Sequence, residues 1–104
     1  MTNVVAPERP PLPDTVLRDL KSAWWQVDAG WFGDALTFAA RTLNRADHAL
    51  GDRHEVTETV RAFHRAIARE HHNHDTSRIQ EPALLRLAYL AALGAVTEHL
   101  NPTA

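Results

Sequence analysis

The chain has 104 residues, enough for one domain and too few for a cofactor domain beside a substrate domain. Apolar residues make up 44 % and charged residues 23 %, which excludes wholesale disorder, and a formal charge of −2 gives no general attraction to nucleic acid or anionic membrane. The absence of cysteine excludes disulfide scaffolds, thiolate metal sites, iron–sulfur clusters and cysteine nucleophiles.

Residues 1–13 are expected to form an extended arm, because Pro7, Pro10, Pro11 and Pro13 fix φ and remove backbone donors. The Pro7–Pro10 and Pro10–Pro13 spacings also fit proline-binding modules. Met1 to Ala6 is short and only mildly apolar, so no secretory leader is read there and a cytoplasmic location is expected.

From Asp14 onward no alternating β-branched run or Asn-Gly hairpin competes with helix. The fold expected is all-α: one domain over residues 14–104, with about four helices near 14–27, 31–50, 53–74 and 82–100 in an antiparallel bundle. Asp14 suits the N-cap of the first helix, whose inner stripe is Leu17, Leu20, Trp24 and Val27 and whose end is Asp28-Ala29-Gly30. In the second, Phe32, Leu36, Ala39, Leu43, Ala46 and Leu50 step by three and four like the seam of a packed helix pair, and Gly51 stops it. Gly30 and Gly33 shape a tight corner between these two helices that Trp31 and Phe32 are expected to plug. Asp52 suits the cap of the third helix, which buries Val56, Val60, Phe63 and Ile67. Thr76 and Ser77 break the pattern, Pro82 suits the first turn of the fourth helix, and Asn101-Pro102 follows its end.

The fourth helix is apolar around most of its girth. Leu84, Ala88, Ala91 and Ala95 share one side, Leu90, Leu93 and Leu100 the opposite half, and Leu85, Ala92 and Val96 a flank. Arg86, Thr97, Glu98 and His99 make its polar strip. A bundle helix leaves roughly a third to a half of its circumference in water, so this one needs additional cover. The expected cover is a second copy, with a homodimer favoured and Leu85, Tyr89, Leu90, Leu93, Val96 and Leu100 as the interface. Trp25 projects away from the first helix's inner stripe and is a further contact candidate for a protein partner. No membrane span is expected, because this apolar run falls short of roughly 20 residues.

Seven histidines are present, three of them in Glu70-His71-His72-Asn73-His74-Asp75. On a continuous helix His71 with His74 or Asp75 has chelating spacing, and such a site suits zinc, nickel or copper. His64 lies one heptad earlier, about 10 Å along the axis, and joins only with another element or subunit. Histidines in a last helical turn also suit capping of its free carbonyls against the negative end of the dipole, and this reading requires no cofactor.

The chain is expected to be non-enzymatic. Ser22 and Ser77 lack a glycine-rich elbow, and there is no phosphate loop or dinucleotide fingerprint. None of Glu55, Glu58, Glu70, Glu81 or Glu98 has histidine three residues later, as di-iron bundles require. A small catalytic bundle would need Asp47, His48 or His64 to converge. Arg61, Arg65 and Arg69 form a stripe balanced by Glu55, Glu58 and Glu70 without interleaved aromatics, so nucleic-acid binding is not expected.

The leading reading is a helical protein–protein interaction module that self-associates through its C-terminal helix, and the alternative is a divalent-metal-binding or sensing protein using His71, His74 and Asp75. A further alternative comes from Trp31-Phe32-Gly33, followed by Ala35 and Phe38, which resembles the Trp-x-Gly turn of small helical-hairpin substrates of specialised secretion systems. That resemblance implies two long helices joined at the turn and paired dimers exported together. The chain departs from the pattern in its short first helix, in Pro82, and in Leu93 standing four after Tyr89 where the family has an acidic residue.

Overall fold

Helical segments of 14 to 19 residues, the first three of them amphipathic, make up the architecture, which was obtained as a computed structural model and is described for residues 11–72 and 82–102. Four helices form: α1 (Thr15–Asp28), α2 (Phe32–Leu50), α3 (Glu55–His72) and α4 (Pro82–Leu100). Among the described residues there is no strand. Each helix packs on its neighbour in sequence, and α1 returns to α4 through the thinnest of the four seams, giving the expected all-α antiparallel bundle.

The α1–α2 corner is closed by backbone bonds. The amide of Gly30 donates to Val27 O at 2.9 Å and that of Trp31 to Gln26 O at 2.8 Å, with Gly30 at φ 84, so the last carbonyls of α1 are satisfied by a doubled C-terminal loop that only glycine enters without strain. Phe32 packs against the core, but Trp31 does not plug the corner as expected and is exposed. Gly51 also ends its helix at positive φ (89), but with a single amide bond, to Asp47 O at 2.8 Å, in place of the doubled loop. The two expected aspartate caps are not made. Asp14 forms no side-chain cap bond, and at α3 the His54 imidazole takes the role, its Nδ1 accepting from the Val56 amide at 3.1 Å. Asp52 instead uses its main-chain carbonyl to accept from Arg61 at 3.2 Å.

The core is built around small residues on α2. Ala35, Ala39, Thr42, Ala46 and Ala49 are buried, while the large side chains of the expected seam, Phe32, Leu36, Leu43 and Leu50, sit half-buried on one flank. The helix is thus rotated from the sequence expectation, because alanines let α2 come close to both neighbours and the leucines fill the groove beside them. On α1 the stripe shifts likewise: Val16, Leu20, Ala23 and Val27 are buried, and Leu17 and Trp24 lean in from the side. The α3 stripe of Val56, Val60, Phe63 and Ile67 is buried as expected. Of the expected arm only residues 11–13 are described, and Leu12 there is buried against the core.

Two contacts lock the helices laterally. Asp19, buried on α1, pairs with Arg45 of α2, which is part-exposed and keeps its charge hydrated. Tyr89 of α4 stacks on Trp24 of α1 (centroids 4.7 Å, 8° between planes) and tilts against Phe63 of α3 at 5.4 Å. Replacing Phe63, fully buried at this junction, with alanine is expected to cost about 3–5 kcal/mol in urea unfolding, since the neighbouring helices cannot close over the cavity.

Candidate functional site

Which face of α4 stays in water follows from the residues it commits inward. Leu85, Tyr89, Ala92 and Val96, spaced four, three and four, are buried. Three of the expected interface residues, Leu85, Tyr89 and Val96, are therefore spent on the chain's own core, and Leu93 and Leu100 lean on it half-buried. The opposite face carries Leu84 (44 % exposed), Leu87 (64 %) and Leu90 (47 %), together with exposed Ala83, Ala91 and Gly94. Leu90 matches the expected interface, whereas Leu84 and Leu87 lie outside it. The missing signal was rotational: only the aromatic partners of Tyr89 reveal which side of an evenly apolar helix turns in.

Gly94 is informative. A Cβ built on it meets nothing within 4 Å, so packing inside the chain does not require a glycine where alanine would stabilise the helix by roughly 0.5–1 kcal/mol. Contrary to the expectation that its apolar run is too short, the same helix is long and apolar enough, by length and composition, to cross a membrane, and 22 % of that window is buried inside the bundle. Here its inner face is occupied by the bundle core.

Two open grooves follow the α3–α4 seam, each of about 220 Å³. One has a floor of Ala62, Ala66 and Ala88, a wall of Leu84 and a rim of Arg65 and Arg69. The other lies at the far end between His54, Glu55, Gly94, Ala95, Glu98 and His99, with the His54 and His99 rings edge to face at 5.3 Å. Neither groove was anticipated, since each needs two helices brought together. Trp25 is 75 % exposed on α1 and Trp31 61 % exposed at the α1–α2 corner, so two large aromatics stand at one end of the bundle.

Among the described residues the candidate chemical side chains do not assemble into a centre. His74 and Asp75 lie outside the described residues. His71 is exposed in the last turn of α3, where its Cε1 lies 3.8 Å from a Cβ built on Gly33 of α2. Among the described residues no group of three or more histidine, aspartate or glutamate side chains is placed to hold a metal ion. Asp47 and His48 are exposed near the end of α2, while His64 is half-buried in the middle of α3, and none of the three lines either groove described above. The α1–α2 corner leads into two further helices rather than the two-helix hairpin that the secretion-substrate resemblance implies. A scan against protein families and searches of curated proteins and solved structures find no match to this chain.

Burial holds the His64 imidazole below its usual value of 6.5, because desolvation disfavours the charged ring. Unfolded chains take up this proton near pH 6.5 and folded ones only at lower pH, so stability is fully present above pH 6.5 and falls as pH drops towards the folded value. Urea midpoints at about pH 7.5 and 5.5 are expected to differ less in His64→Gln than in the unmodified protein.

Proposed function

We propose that this protein is a non-enzymatic helical interaction module that self-associates through the outer face of α4, with Leu84, Leu87, Leu90, Ala91 and Gly94 at its centre. The observation that carries this reading is the contiguous apolar strip those residues leave in solvent while the other side of the same helix fills the core. Exposed apolar patches of several hundred Å² are uncommon on monomers, and a homodimer is the simplest assembly that covers one. Trp25 and Trp31, exposed at the other end of the α1–α2 hairpin from Asp19 and Arg45, support a second contact with a different protein, since large aromatics dominate binding energy at interfaces.

Light scattering during gel filtration at high micromolar concentration tests the reading; a monodisperse monomer overturns it. Leu87→Asp is expected to yield a monomer with unchanged helical circular dichroism. Its side chain is already mostly in water within one chain, while burying a carboxylate between two chains and losing a leucine contact weakens association by about 100-fold. Elemental analysis of the same peak, from protein made without a histidine tag, separates the metal alternative: a stoichiometric transition metal would favour His71, His74 and Asp75 instead.

A further inference from the structure

The outer face shared by α3 and α4 is sorted by charge along its length. The helices run antiparallel, with Phe63 against Tyr89 at 5.4 Å and His54 against His99 at 5.3 Å. Arg65 and Arg69 of α3 therefore stand beside the first half of α4 and rim the groove next to Leu84. Glu55 and Glu98 rim the groove at the other end, beside Gly94, and Glu58 shares the outward side of α3 with Arg65 one heptad away. The apolar strip between these ends has its own symmetry. Leu84, Leu87, Ala91 and Gly94 are spaced three, four and three, a pattern identical from either direction.

We propose that the occupant of this face is a second copy of the chain docked antiparallel, α4 against α4, about a two-fold axis level with Tyr89. The proposal rests on the self-association reading above and specifies its geometry. Reversing the strip on itself sets Leu84 of one copy opposite Gly94 of the other and Leu87 opposite Ala91, large against small at each step, as close helix packing requires. The same operation brings the arginine-rimmed groove of each copy to the glutamate-rimmed end of the other. Gly94, unexplained within the chain, then admits the incoming leucine. A parallel pair does the reverse: leucine meets leucine at one end, glycine meets glycine at the other, and arginine faces arginine while glutamate faces glutamate.

The chain has no cysteine, so introduced thiols report orientation directly. Leu84→Cys and Gly94→Cys both change exposed positions, and Gly94 has open space for the added atoms, so both variants keep the fold. The two are oxidised alone and as an equimolar mixture, with the mass of the unmodified protein measured alongside. Disulfide-linked dimer is expected at least several-fold more in the mixture than in either variant alone. Linkage within either variant alone that equals or exceeds that of the mixture overturns the antiparallel pairing, as does a dimeric mass with no linkage in the mixture. A monomeric mass for the unmodified protein instead removes the self-association reading itself. Raising sodium chloride from about 50 mM to 500 mM is expected to weaken the dimer several-fold; an unchanged or tighter dimer overturns the charge pairing.

Discussion

The placement of Tyr89 between Trp24 and Phe63 governs the rest of the molecule. The seam between α1 and α4 is the thinnest in the bundle, and a stacked aromatic pair closes it where aliphatic packing is sparse. Aromatic side chains bury large areas with defined geometry, so this junction fixes the rotation of α4 as well as its position. Once Tyr89 turns inward, the helical repeat carries Leu85, Ala92 and Val96 with it and turns Leu84, Leu87 and Gly94 outward.

The division of labour among the helices follows from residue size. α2 brings alanines and Thr42 to the core and so draws its neighbours close, while α3 supplies the bulk through Phe63 and Ile67. The buried Thr42 satisfies its hydroxyl within its own helix by donating to Phe38 O at 2.9 Å. Asp19 and Arg45 fix the register of α1 on α2 at the end opposite the glycine corner. With three helices locked in this way, α4 is the element with surface left over, and the candidate site belongs to it for that reason.

The site was legible in part. That α4 carries more apolar surface than one bundle can hide is visible in Ala83 to Leu100, where Arg86 is the only charge before Glu98. Which residues form the exposed strip was not visible: Leu85, Tyr89 and Val96 look as suitable as Leu84 and Leu87 until an aromatic contact from another helix breaks the tie. The grooves rimmed by Arg65 and Arg69 and by Glu55 and Glu98 join residues far apart in sequence, so no local pattern announces them. His54 shows the same limitation on a smaller scale, since a histidine replaces the aspartate that local preference favours as the cap of α3.

By itself the sequence determined the class, the number of helices and the α1–α2 and α2–α3 turns, while the expected break at Thr76-Ser77 lies outside the described residues. Three-and-four spacing, Gly30, Gly51 and Pro82 act within a few residues and are little affected by the distant chain. Only the tertiary structure decided how each helix is rotated about its axis. A helix with alanines beside leucines, such as α2, or with apolar residues all round, such as α4, has several inward faces of nearly equal burial energy. The choice among them is made by the shape of the neighbours: the close approach allowed at Ala39 and Ala46, and the slot between Trp24 and Phe63 that accepts Tyr89.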